Sequence, residues 1–284
     1  MTDDQQEEQP NRSGPEAPGP AQHPAEGAGT SAETARAIEP GAADLPENKK
    51  KMTAFSVVRF LILFFLFLGI AVWTYRSDYL IRYKGTPYQD SRYAGGAQAI
   101  PGRVQCAYYD LGGEGVAYHD SDAKNNGSGG LNPADGTYLN EFRKGEGVDA
   151  SYTKFHDQID NSPFDVVTPP ENQLYVGWTA PGEWFNITVR ATRAGDYAGD
   201  LLYTSNRGGT ISIDVNGKPA TGPLTIPSTY NAADPLAWRQ WHHWNLAPGL
   251  VKIHLGPNKN VLTIHILTEG NMNLAWIDFK PVRK

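Results

Sequence analysis

Residues 53–74, TAFSVVRFLILFFLFLGIAVWT, form the only long apolar run of this chain, and no other feature restricts its folding as much. A helix needs about 20 apolar residues to cross the hydrocarbon core of a bilayer. This run meets that length once Arg59, near one end, extends its charge toward the interface. Leu and Phe occupy every face of such a helix, which argues against a place in a globular core. Lys49, Lys50 and Lys51 stand directly before the run, and Trp73 and Tyr75 mark its far boundary. Basic residues also follow (Arg76, Arg82, Lys84), yet the compact lysine triplet predicts a cytoplasmic N-terminus and an extracytoplasmic C-terminal part, a single-pass topology. A cleaved signal peptide is the competing reading. Against it, the preceding segment is long and no small-x-small cleavage site follows the apolar core.

The run divides the rest of the chain. Residues 1–48 are rich in Glu, Gln, Pro, Ala and Gly, with almost no large apolar side chains. Such a segment cannot bury enough surface to offset its ordering entropy and is predicted to be a disordered, acidic cytoplasmic tail. The tail's acids outnumber its two bases, Arg12 and Arg36, so much of the formal net charge of −6 resides there. A cytoplasmic partner could be met through it. Neither the tail nor the remainder carries the basic stripe of a nucleic-acid binder. The single cysteine, Cys106, excludes an internal disulfide and a multi-thiolate metal site, and its strand-like setting predicts a small buried apolar residue.

Residues 75–100 alternate tyrosines and charges without a clear apolar face and read as a stalk. From Arg103 onward, short alternating segments are broken by Gly, Asn and Pro, the pattern of an all-β sandwich. The expected arrangement is therefore a disordered tail, one transmembrane helix (53–74), a stalk (75–100) and an exported β-sandwich (101–284). In EWFNITVRAT, Phe185, Ile187, Val189 and Ala191 fall on one side as the core row, with Trp184, Asn186, Thr188 and Arg190 on the other. Asn216-Gly217 marks a two-residue hairpin turn. Residues 120–173 are rich in Gly, Asn and Asp and read as long loops, which in a compact domain are often functional. Asn126-Gly-Ser128 and Asn186-Ile-Thr188 fit glycosylation acceptors.

Seven segments occur in order along this domain: IPGRVQ (100–105), GGEGVAYHD (112–120), GEGVD (145–149), YVGWTAPGEW (175–184), ISIDVNGKPATGPLTIPST (211–229), WRQW (238–241) and NLAWIDF (273–279). In that order they resemble a carbohydrate-binding module of family 6, a jelly-roll β-sandwich usually attached to enzymes acting on polysaccharides. The resemblance covers residues 101–280. It implies a cleft at the sandwich edge built from two aromatics and an Asn, which correspond to Trp178, Trp238 and Asn273. Aromatic rings suit the apolar face of a sugar, and an amide fixes its hydroxyls. The alternative places Trp178 and Trp238 in the core, although each has a neighbour, Trp184 or Trp241, that could fill that role. The loop after the first strand is expected to add a polar residue, from Tyr118, His119 or Asp120.

The resemblance further implies a second cleft on the concave face at Trp184, Asn186 and Asp214, against which Ile266 stands where a basic residue is expected. A structural calcium is implied near Gln105 and Asp278, although Ala107 replaces an acid that such a site normally has. His242 and His243 are adjacent and, on a strand, point to opposite faces, a poor pair for one metal. No cofactor is otherwise expected. The function that follows is a membrane-anchored, non-catalytic binder of a polysaccharide or oligosaccharide. A glycoside hydrolase would need two carboxylates across the bond, for which Glu114, Glu146, Asp149 and Glu183 qualify only by residue type. An anchored scaffold or signalling protein is the third reading.

Overall fold

The computed structural model describes residues 54–283; the expected disordered tail, 1–48, lies outside the described residues. A helix, α1 (Ala54–Arg82), is 29 residues long, about 44 Å at 1.5 Å per residue. Its consecutive side chains Phe60 to Leu68 are all exposed and all apolar. Among the described residues, no helix is long and apolar enough to cross a membrane; the described side chains of α1 itself cover 57–71 and 79–82.

Thirteen strands follow: β1 (Gln98–Ile100), β2 (Gly102–Gln105), β3 (Tyr118–His119), β4 (Ala150–Tyr152), β5 (Leu174–Val176), β6 (Trp184–Ala191), β7 (Gly195–Ser205), β8 (Gly209–Val215), β9 (Lys218–Pro219), β10 (Leu224–Ile226), β11 (Asn245–Leu255), β12 (Asn258–Thr268) and β13 (Met272–Pro281). They form two sheets. The first runs β1-β6-β12-β8-β10, with β3 on β6 and β9 on β8; the second runs β11-β7-β13-β5-β4, with β2 on β13. Between them lies the main core. Phe185, Ile187, Ile213, Leu262 and Ile264 meet Tyr197, Leu201, Ile253, Ile277 and Phe279 there, all buried. The alternation expected in β6 holds, since Phe185, Ile187, Val189 and Ala191 are core-facing and buried. Asn216 and Gly217, with φ of 52° and 70°, close the β8–β9 hairpin between Val215 and Lys218. Positive φ at both central residues is what a two-residue turn of this hand requires.

Three features depart from the sequence reading. The segment read as a stalk, 75–100, begins as the end of α1, which runs to Arg82, and continues as core material. Tyr88 is buried with Phe142 and Ala107 in a second apolar cluster, where its ring stacks on Tyr108 at 5.1 Å. The tyrosines that gave no apolar stripe serve as core material because a phenol buries its ring and satisfies its hydroxyl separately. Thus both Tyr88 and Tyr138 donate to Asp90 Oδ2. The strand-like setting read for Cys106 does not hold: β2 stops at Gln105 and the chain turns into a short 3₁₀ segment, Cys106–Tyr108. Cys106 is fully buried as expected, and burial pushes its thiol up to about 12.

The third departure is a bulge in β13. Its register against β7 shifts between Leu274 and Trp276, leaving Ala275 as the extra residue. Leu274 and Ile277 both point into the main core, although their spacing of three would put them on opposite faces of a regular strand. Asn273 and Trp276 therefore project from the outer face of the second sheet. There Tyr175, Leu202, Trp244 and Trp276 form a third cluster beneath the loops.

Candidate carbohydrate-binding site

The segment Gly177-Trp178 leaves β5 in a tight turn. Trp178 has φ of 46°, a left-handed conformation that is an outlier for a bulky side chain. Strain of this kind persists only where surrounding groups impose it. Here Gly177 N–H donates to Asp149 O (3.0 Å), and Trp178 N–H donates to Asn273 Oδ1 (3.4 Å). Gly177 also admits the amide from below, since a Cβ there would fall 2.7 Å from Asn273 Oδ1. The Trp178 ring is half-buried against Tyr175, with centroids 6.4 Å apart.

Asn273 has no exposed surface. Its Nδ2 donates to Thr204 Oγ1 (2.8 Å) and His242 Nδ1 (2.9 Å). With Nδ1 accepting, His242 donates through Nε2 to Asp160 Oδ1 (2.6 Å), so the amide fixes the ring tautomer. Asp160 also accepts from Trp244 Nε1 (2.8 Å). Burial would raise its carboxyl, but the His242 and Trp244 hydrogen bonds outweigh burial and hold it below its ordinary value. The expectation that Asn273 meets hydroxyls of a ligand is thus corrected. Both its ends are spent inside the protein, and it positions Trp178 and His242 instead.

His242 passes the connection to the tryptophan-rich segment, its ring 5.6 Å from that of Trp241. Trp238 sits on a 3₁₀ turn, Ala237–Arg239, and is 54% exposed. That turn is pinned from inside. The buried Arg239 donates from Nε and Nη2 to Asp234 (2.6 and 3.0 Å) and from Nη1 to Gln158 O (2.7 Å). His243 Nε2 lies 2.9 Å from the same carboxylate. Burial would raise Asp234, but Arg239 and His243 together hold it well below the carboxylate range. A rigid base thus carries an exposed indole, with exposed Tyr230 nearby in the same loop and tied to it by Tyr230 Oη donating to Gln240 Oε1 (2.9 Å). Within this segment the core tryptophan is Trp244, which is fully buried; Trp241 is only half-buried. Asp160, Asp234 and Arg239 were missed by sequence reasoning, because nothing local marks three loop residues as one buried network.

The remaining expected residues are scattered. Tyr118 is a correction: it is buried in the main core, with its hydroxyl accepting from Gly147 N–H (3.2 Å). His119 is exposed and pairs with Glu114, its ring 6.5 Å from that of Trp184. His119, Trp184, His265 and Ser212 lie in one row across β3, β6, β12 and β8, and Asn186, Thr263 and Asp214 in the next. Trp184, Asn186 and Asp214 therefore do share the outer face. Asn186, however, is buried, donating to Val116 O (2.9 Å) and accepting from Thr263 Oγ1 (2.6 Å), and so can carry neither a ligand nor a glycan here. Ile266 is a core residue; the residue facing Trp184 is His265, 3.3 Å from Asp214.

Gln105 pairs with Trp276 and Asp278 with Arg103 across β2 and β13. Gln105 Oε1 accepts from Gln173 Nε2 (2.6 Å), and Lys280 Nζ lies 3.7 Å from Asp278. Calcium wants six or more oxygens including carboxylates. One engaged amide and one carboxylate beside a lysine do not fit it, and among the described residues no group of three His, Cys, Asp or Glu could hold a metal.

No family model and no curated protein matches the chain. Solved structures to which it is similar include a family 35 carbohydrate-binding module from Clostridium thermocellum, at 18% identity and TM-score 0.33, over 47% of this chain and 88% of that one. They also include a β-1,3-glucan-binding family 6 module from Bacillus halodurans, at 15% identity and TM-score 0.37, over 65% of this chain and 98% of that one. A third is a family 6 module of Cellvibrio mixtus lichenase 5A in complex with cellotriose, at 21% identity and TM-score 0.31, over 39% of this chain and 79% of that one.

Proposed function

We propose that this protein is a membrane-anchored, non-catalytic carbohydrate-binding protein that holds a polysaccharide or oligosaccharide at the extracytoplasmic face. The observation that carries the reading is Trp178. An indole held in a left-handed backbone and braced by the fully buried Asn273 lies at the edge of the third cluster with its ring only half-buried. Trp238 gives a second aromatic surface on a base made rigid by Asp234, Arg239 and His243. Rigid aromatics suit sugar faces because they supply contact area at little ordering cost.

The anchor rests on α1. Nine consecutive exposed apolar residues, Phe60 to Leu68, form the kind of patch that marks a membrane or partner surface, and the run 53–74 that contains them has about the number of residues a span requires. The non-catalytic reading rests on how the four acidic candidates are used. Glu183 accepts from Ser121 Oγ (2.6 Å) and Ala180 N–H (2.7 Å), and Glu146 pairs with Arg143. Glu114 pairs with His119, and Asp149 accepts from Asn126 N–H (2.5 Å).

The test is retention of the full chain, in detergent micelles, on native gels containing xylan, β-glucan or agar-type galactan. Retention without release of reducing sugar is expected. Release of reducing sugar would favour the hydrolase, and passage through every gel without delay would overturn the reading.

A further inference from the structure

The outer face of the first sheet changes character abruptly. His119, Trp184 and His265 are exposed or half-exposed, while one row further Asn186 and Thr263 are buried at 4% and 7%. Beyond these, Thr188 and Val261 face each other across β6 and β12, and both are buried although their neighbours Ile187 and Leu262 are the ones turned to the core. Something covers this half of the sheet. Tyr79, in the last turn of α1, and Tyr83, the residue just beyond it, are stacked with centroids 5.9 Å apart and planes 10° apart. Tyr83 Oη donates to Asp110 Oδ2 (2.7 Å). Asp110 has no exposed surface and also accepts from Thr188 N–H (2.7 Å) and Thr188 Oγ1 (2.6 Å). Tyr79 lies over the β8–β9 hairpin, where a Cβ on Gly217 would fall 2.4 Å from its ring. The chain then pairs Thr86 with Leu111 through two backbone hydrogen bonds (2.9 and 2.8 Å).

We propose that Tyr79, in the last turn of α1, and Tyr83, the residue just after it, form an intramolecular clamp: the stacked tyrosines occupy the outer face of the first sheet over Asn186, Thr188 and Thr263, closing that half to any outside ligand and fixing the sandwich to the end of the helix. The contact is made of interactions that hold only in one geometry. Gly217, having no side chain, leaves the space that the Tyr79 ring occupies. The Asp110 carboxylate, removed from water, needs the Tyr83 hydroxyl as one of its few partners. Burial raises the Tyr79 phenol, and the Asp110 and Asp214 carboxylates add to this while Thr263 opposes it, as expected for a ring set among these groups. The clamp thus ties the C-terminal end of α1, from Tyr79 onward, to the sandwich that carries Trp178 and Trp238. The inference does not depend on what those tryptophans bind.

The test uses the full chain in detergent micelles with single cysteines introduced by Thr263→Cys or His265→Cys, two positions apart on the same face. The native Cys106, fully buried, sets the background. With the clamp closed, T263C is expected to react with a water-soluble maleimide more than about tenfold slower than H265C, as for a site that reacts only through local opening. Tyr79→Ala with Tyr83→Ala is expected to bring T263C close to the H265C rate. Equal rates with the helix unaltered would overturn the proposal, and so would a double alanine variant, folded by near-UV dichroism, that leaves the T263C rate unchanged. Should the alanines unfold the domain, the comparison of T263C with H265C in the unaltered helix decides alone.

Discussion

Removing the Asp234 carboxylate separates what holds the tryptophan-rich loop from what the loop is for. Asp234 is buried and accepts from Arg239 Nε (2.6 Å), Arg239 Nη2 (3.0 Å), His243 Nε2 (2.9 Å) and Leu236 N–H (3.0 Å). Asp234→Ala leaves the Arg239 guanidinium, itself 4% exposed, with no counter-charge in a dry site. Breaking a buried pair from one side costs about 3–5 kcal/mol. For a domain of this size each kcal/mol moves Tm by about 2–4 °C, so a fall of about 6–20 °C is expected. Trp238→Ala removes a side chain more than half exposed and is expected to stay within about 0.5 kcal/mol of the parent. Both variants are expected to lose retention on polysaccharide gels, one through a displaced loop and the other through a missing ring. Asp234→Ala with Arg239→Met should recover part of the stability, because no stranded charge remains. The pH dependence has a definite sign. A carboxyl held below its unfolded value contributes fully above about pH 4 and loses its contribution as pH falls further. The Tm gap between parent and Asp234→Ala should therefore be constant from about pH 5 to 8 and shrink in stronger acid. A gap under about 2 °C at pH 7, or a Trp238→Ala variant that melts as early as Asp234→Ala, would refute the reasoning.

Other perturbations bear on neighbouring parts of the site. Gly177→Ala places a methyl 2.7 Å from Asn273 Oδ1 and is expected to lower both retention and Tm, read by gel shift and thermal melting. Asn273→Ala strands Thr204 and His242 and should cost about 1–3 kcal/mol in urea denaturation. Asp120 and Asp149 are pushed up to about 7 and about 6 by burial, with neighbouring acids, Glu183 and Asp122 among them, adding to the shift. A carboxyl raised above its unfolded value costs stability as pH climbs through that window. Asp120→Asn should accordingly raise Tm at pH 8 and leave it nearly unchanged at pH 4; no gain at pH 8 would contradict the assignment.

Much of the sandwich was legible because its strands alternate cleanly. Phe185 to Ala191 could be assigned to core and surface by period alone, and Asn216-Gly217 named its own turn. The placement of Asn273 was not legible. A single bulge at Ala275 reverses the faces of β13, and no local composition marks it. Strict alternation would have put Asn273 in the main core with Ile277. The resemblance implies a ligand-facing amide at Asn273, whereas its burial and its role as a brace follow only from the contacts of Thr204, His242 and Trp178. Tyr118 misled because a tyrosine in a polar loop reads as exposed, whereas its ring packs edge-on against Tyr109 at 5.6 Å. The supposed stalk misled for the same reason. Its tyrosines bury their rings on surfaces contributed by distant residues, such as Phe142 and Gly217, that a linear scan does not bring together.

The central claim is that Trp178 is held in a strained backbone so that its ring can meet a sugar. Titrating the full chain in micelles with xylan- and β-glucan-derived oligosaccharides, while following tryptophan fluorescence, tests it most directly when run beside Trp178→Ala. Saturable quenching by at least one oligosaccharide, absent in the variant while its near-UV dichroism is otherwise kept, is the result expected. Undiminished binding by a folded Trp178→Ala would contradict it.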